Sequence, residues 1–251
     1  MGLFKKKETV DEEQQKKILL ENNRKRLVKS DTAFDVKESY KELRTNIMFS
    51  LSKKGCKKIM VTGSVASEGK STTCTNVAIT FAEVGSKILL VDCDLRKPNL
   101  GNLFNKKKEK GLSNVLVNET ELNDVIFHSD YTNLDVIFAG NIPPNPTELL
   151  SSDTMSYVVD ELSKRYDYIF FDTPPVSIVT DAVLISKLMD GVVMVSRQNY
   201  TERKMLSQSI DKLCFVGAKI IGIVLNDVDS SKVGYGKYGG KYSSYGGYDH
   251  R

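Results

Sequence analysis

The sequence predicts an α/β fold, a mostly parallel twisted sheet with helices on both faces. Three observations carry this. Continuous stretches of Val, Ile, Leu and Phe within 87–92, 168–172, 191–196 and 219–225 do not alternate with polar residues, as in strands buried on both sides. Segments of helical periodicity lie between them. The chain's 251 residues, 40% hydrophobic and 27% charged, suffice for one such core and are too apolar for wholesale disorder.

The elements follow in order. Residues 1–33 are polar and densely charged, with a thin apolar stripe (Ile18, Leu19, Leu20, Leu27), and read as a basic flexible arm. From 38 to 52, Tyr40, Leu43, Ile47 and Leu51 recur at three- and four-residue steps and predict a helix. Strand 59–62 precedes helix 71–84, which Gly85 closes. Strand 87–92, strand 134–138 and a Pro-rich loop at 142–146 come next, then helix 154–164 and strand 168–172. Helices near 181–188 and 201–215 flank strand 191–196, and strand 219–225 closes the body. The folded domain is thus expected over 34–231. Residues 232–251 form a tail; its last 17 residues hold five Tyr and five Gly, a composition that favours a flexible chain with a reach of roughly 20–25 Å.

The formal charge of +4 divides unevenly. Residues 1–30 carry +4, 31–231 carry −3 and 232–251 carry +3. A nucleic-acid groove would place its basic charge on the body, so no nucleic-acid partner is expected. The basic arm would favour an anionic membrane surface only weakly. No apolar run approaches the roughly 18 residues of a membrane span, and Lys5, Lys6 and Lys7 lead into acidic residues rather than a signal peptide. Cys56, Cys74, Cys93 and Cys214 form no CxxC pair and read as reduced thiols of a cytosolic protein.

The chemistry begins after strand 59–62. Gly63-Ser64-Val65-Ala66-Ser67-Glu68-Gly69-Lys70-Ser71-Thr72 leads straight into a helix, the context of a P-loop. There, backbone N–H groups converge on phosphate oxygens, Gly69 permits close approach, Lys70 supplies a mobile cation and Ser71 a metal-binding hydroxyl. A strict GxxxxGK[ST] would need Gly at 64, where Ser stands. Gly63, Ser67, Glu68 and Thr72 complete the candidate cofactor-binding set, and the fold class narrows to a P-loop NTPase. Asn226, at the end of the last strand, is a candidate for the nucleobase edge or an ordinary turn residue.

Two strands end in aspartate. ILLV is followed by Asp92-Cys93-Asp94, and YIFF by Asp172-Thr173-Pro174-Pro175. In a parallel sheet these strand ends gather at one edge beside the phosphate loop. The Asp172 run has the Walker B form.

With these motifs the chain resembles the bacterial protein-tyrosine kinases of capsular and exopolysaccharide systems, over about residues 34–251. The family loop V-T-S-x-x-P-G-E-G-K-S is VTGSVASEGKS here; ILLVDCDLRKP matches the Walker A′ motif, FFDTPPV the Walker B run, and the tyrosine tail the family's C-terminus. The resemblance implies ATP and Mg²⁺ as cofactors, with Lys70 and Ser71 on phosphate and metal, Asp94 and Asp172 on the metal, and Asp92 as general base. It implies autophosphorylation in trans of Tyr235, Tyr238, Tyr242, Tyr245 and Tyr248. It implies a homo-oligomer, a ring, through an E-x-x-R-x-x-R helix, here Glu38, Lys41 and Arg44. It also implies a separate transmembrane activator that would hold a cytoplasmic catalytic subunit at the inner face of the membrane. Two departures stand out: Ala66-Ser67 replaces Pro-Gly, and Lys41 replaces an Arg that could form a bidentate fork.

The alternative is a partition- or septum-positioning ATPase with the same fold. That class carries KGGxGK, but Val65 occupies the position of its first Lys, and the class gives no reason for a tyrosine tail.

Overall fold

The computed structural model describes residues 25–106 and 110–229. Seven strands form one sheet: β1 Lys57–Gly63, β2 Ile88–Asp92, β3 Ile126–His128, β4 Leu134–Ile137, β5 Tyr168–Asp172, β6 Gly191–Arg197 and β7 Ile220–Asn226. Their order is β3-β4-β2-β5-β1-β6-β7, parallel except for β3, which runs antiparallel to β4. The helices are α1 Phe34–Ser50, α2 Lys70–Ala82, α3 Leu100–Leu103, α4 Leu112–Leu116, α5 Pro146–Leu150, α6 Asp153–Ser163, α7 Asp181–Ile185 and α8 Arg203–Phe215.

Every residue of β2 and β5 is buried, because helices cover both faces of the sheet centre. Two apolar clusters result. One joins Met60, Leu89, Ile169, Phe171 and Met194 to α6, α7 and α8. The other joins Ile59, Leu90, Phe170 and Val193 to α1 and α2. Alternate strand residues point to opposite clusters, as the period of two requires. Helix α2 is buried along most of its length, which fixes the phosphate loop ahead of it against the sheet.

The structure departs from the sequence reading at several points. Strand β3 went unpredicted because three residues show no periodicity; its hydrogen bonds come from β4. The Pro-rich loop ends sooner than expected, since Pro146 opens α5 at a position where its missing N–H costs nothing. The helix expected at 201–215 begins at Arg203, because Asn199 takes a left-handed φ of 56° in the preceding turn. The apolar run of β7 suggested two covered faces, yet β7 is an edge strand with Ile223 and Leu225 52% and 54% exposed.

The arm expected to be flexible over 1–33 is anchored at its C-terminal end. Leu27 and Val28 are buried, Leu27 within the α1–α2 cluster. The carboxamide of Asn76 holds this segment at two points: Val28 N–H donates to Asn76 Oδ1 at 2.8 Å, and Asn76 Nδ2 donates to the Arg26 carbonyl at 2.9 Å. Pairing both amide groups satisfies a buried Asn that would otherwise be costly.

Candidate active site

The loop between β1 and α2 takes its shape from side chains behind it. Glu68 is fully buried; its Oε2 accepts the Val65 N–H at 3.0 Å and its Oε1 accepts the Thr201 hydroxyl at 2.7 Å. The carboxylate occupies the space a side chain at 63 would need: a Cβ on Gly63 would lie 2.2 Å from Glu68 Oε2. Thr201 itself accepts the Arg197 N–H at 2.9 Å. Asn226 Nδ2 donates to the Glu68 carbonyl at 2.9 Å, and Arg197 Nη1 reaches the Ser67 carbonyl at 3.4 Å. The ends of β6 and β7 thus tether the outer wall of the loop. Gly69 turns the chain into α2 at φ 91°, and a Cβ there would strike Asn226 at 2.1 Å.

Of the candidate phosphate-loop residues, Ser67, Gly69, Lys70, Ser71 and Thr72 face a cavity of about 520 Å³, together with Asp94. Gly63 and Glu68 stand behind the loop and shape it. The carboxamide of Asn226, considered for the nucleobase edge, is bonded to the loop itself. Lys70 Nζ donates to the Val65 carbonyl at 2.9 Å; burial lowers its pKa, while Asp172, Glu68 and Asp94 oppose that.

Of the three strand-end aspartates, Asp94 lines the cavity, while Asp172 is buried beside Ser71 and Lys70, and Asp92 is buried beside Asp172. Asp92 and Asp172 are register partners on β2 and β5, and both are buried. Asp92 accepts the Asp94 N–H at 3.2 Å and the Leu100 N–H at 3.1 Å. Desolvation first, and then Asp172, push its pKa well above the carboxylate range. Asp172 has no hydrogen-bond partner of good geometry on either oxygen. Desolvation raises it to about 7, with the nearby Ser71 hydroxyl drawing it back. Asp94 is half-buried and accepts the N–H groups of Arg96 and Lys97.

A buried carboxylate with both oxygens unpaired, beside a serine hydroxyl, is suited to a hard divalent cation. No cluster of three or more His, Cys, Asp or Glu side chains among the described residues could hold a metal by itself. That donor set fits Mg²⁺, which binds through one or two carboxylates and completes its shell with phosphate and water.

Sequence comparison places these features in a family. A family of AAA domains matches residues 56–216. The tyrosine-protein kinase YwqD of Bacillus subtilis (strain 168) is 38% identical over 205 residues, covering 81% of this chain and 86% of the relative. This chain belongs to the bacterial tyrosine-protein kinases. The tyrosine-protein kinase CpsD of Streptococcus agalactiae is 36% identical over 81% of this chain and 89% of its own length. Among solved structures, the chimerical protein CapA2B2 superposes with a TM-score of 0.74 at 36% identity, covering 77% of this chain and 85% of that one. The septum site-determining protein MinD of Pyrococcus horikoshii shares the fold at 22% identity, 70% and 72% coverage, and a TM-score of 0.60. The septum-positioning reading therefore retains the fold alone, and the kinase reading holds.

Sequence reasoning missed several residues around this cavity. Thr201 and Arg197 lie more than 120 positions from the loop they support, with no motif to mark them. Arg96 forms a two-point pair with the fully buried Asp181 (Nε–Oδ2 2.7 Å, Nη2–Oδ1 3.1 Å), and Thr147 bonds both. The R in the DLRKP string could have signalled Arg96; nothing signalled its partners.

The oligomerisation candidates sit on α1. Glu38 and Lys41 pair with each other at 2.7 Å, while Arg44 Nη1 donates to the Thr80 carbonyl of α2 at 2.7 Å. The tail tyrosines Tyr235, Tyr238, Tyr242, Tyr245 and Tyr248 lie outside the described residues. No helix among the described residues is long and apolar enough to cross a membrane.

Proposed function

We propose that this kinase binds ATP with Mg²⁺ and transfers the γ-phosphoryl group to the tail tyrosines of a neighbouring copy, and that the state of this tail regulates capsular or exopolysaccharide synthesis. The observation that carries the reading is the unpaired, buried carboxylate of Asp172 beside Ser71 and Lys70 at the end of the phosphate loop. Such a group is costly to bury unpaired and is stabilised by a cation held with phosphate.

The roles follow from the positions. The loop N–H groups and the start of α2 bind phosphate oxygens. Lys70 exchanges the Val65 carbonyl for phosphate oxygens, a swap its flexible stem allows. Ser71, Asp172 and Asp94 would hold Mg²⁺, which when bound would neutralise charge developing on the phosphate oxygens. The incoming tyrosine oxygen bonds to the γ-phosphorus as the bond to ADP breaks. The phenol proton passes to the ionised form of Asp92, which its raised pKa makes more basic than an ordinary carboxylate but less populated. Helix α1, with Glu38, Lys41 and Arg44, supplies a homo-oligomer contact, in a ring. A transmembrane partner activates the kinase and keeps it at the cytoplasmic face of the membrane.

The test is incubation with ATP, Mg²⁺ and the activator's cytosolic tail, read by intact mass. Phosphate steps that map to the C-terminal tyrosines and vanish in Lys70→Met support the kinase. Phosphate release with unchanged protein mass supports an ATPase instead.

A further inference from the structure

We infer that Arg26, on the arm ahead of the matched domain, is an additional nucleotide-binding residue that the Asn76 clamp delivers to the phosphate cavity. The inference rests on the reading of that cavity as a nucleotide site.

The geometry is specific to this segment. Asn76 stands one helical turn after Thr72 on the same side of α2. Its carboxamide grips the backbone at Arg26 and Val28, and the burial of Leu27 and Val28 keeps the segment from sliding. Tyr40 of α1 directs its phenol at Asn76 and Thr73, where burial pushes its pKa up, so arm, α1 and α2 meet at one junction. With its backbone held there, Arg26 lines the same cavity as Lys70, Ser71 and Thr72. Its side chain is exposed, and no described residue pairs with its guanidinium. Arg96 and Arg197 also line this cavity, but both are committed, to Asp181 and Asp227 respectively. Arg26 is the arginine on the cavity wall left to meet a ligand. A guanidinium beside the first turn of a phosphate-binding helix suits the oxygens of a nucleoside polyphosphate.

The test is calorimetric titration of the full chain with Mg-ATP. Arg26→Ala is expected to weaken binding about 5- to 50-fold, with an unchanged melting temperature for the nucleotide-free protein. Arg26→Lys should recover part of the loss. Lys25→Ala, which removes the same charge from a residue off the cavity wall, should bind like wild type. Asn76→Ala should weaken binding in the same direction and add little to Arg26→Ala, because both act through one guanidinium. Arg26→Ala with a dissociation constant within twofold of wild type overturns the inference, as does an equal loss in Lys25→Ala. If the wild-type chain binds no Mg-ATP, the nucleotide reading fails first and this inference with it.

Discussion

Asp92 and Asp172 lie side by side in register on the central parallel strands β2 and β5, buried and close enough for Asp172 to raise the pKa of Asp92. Two carboxylates so placed cannot both be comfortably charged without a cation. The pair therefore carries an electrostatic cost that nucleotide with metal would relieve.

This strain has a pH signature. The pKa of Asp172 is raised to about 7 by desolvation, above its unfolded value of 3.8. The folded chain then holds more protons than the unfolded one between those values. Its contribution to stability is full below about pH 4 and declines as pH rises through 7. Asp172→Asn should raise the melting temperature of the nucleotide-free protein at pH 8, roughly 2–4 °C per kcal/mol relieved, while abolishing phosphorylation. Thermal scans of both proteins from pH 5 to 8 check this; parallel curves would contradict it.

Ser67 adopts φ 63°, a left-handed conformation that glycine takes without penalty. The family loop has glycine at this position. Ser67→Gly should stabilise the protein by about 0.5–1 kcal/mol, with ATP affinity kept or improved. Urea unfolding with paired ATP titrations reads both quantities.

The Thr201 hydroxyl links the Arg197 backbone to the buried Glu68 carboxylate. Thr201→Val would strip a buried anion of a donor, at about 1–3 kcal/mol, and loosen the loop. A higher KM for ATP with a smaller change in kcat is expected, and Thr201→Ser should restore it. Steady-state kinetics on the three proteins decide the matter.

How much of this was visible in the chain depended on the range of the cause. The phosphate loop and strand-end aspartates were legible because strand, turn and helix are contiguous, and a parallel sheet brings strand ends together. The anchoring of Leu27 and Val28 was not legible, since their burial depends on Asn76, some 50 residues away. Thr201 and Asp181 were invisible for the same reason: each looks like an ordinary turn or helix-start residue until the fold sets it against Glu68 or Arg96. Strand β7 misled in the other direction. Its composition is that of a central strand, yet it lies at the edge with Ile223 and Leu225 exposed.

Transfer between copies is tested by a mixing experiment. Lys70→Met, with its tail tyrosines intact, is combined with a chain in which Tyr235, Tyr238, Tyr242, Tyr245 and Tyr248 are replaced by Phe, together with ATP, Mg²⁺ and the activator's cytosolic tail. Transfer in trans predicts phosphate on the tail of the Lys70→Met chain, detected by intact mass and peptide mapping, and none when that chain is incubated alone. An unmodified Lys70→Met chain in the mixture, under conditions where the wild-type chain phosphorylates its own tail, would contradict it.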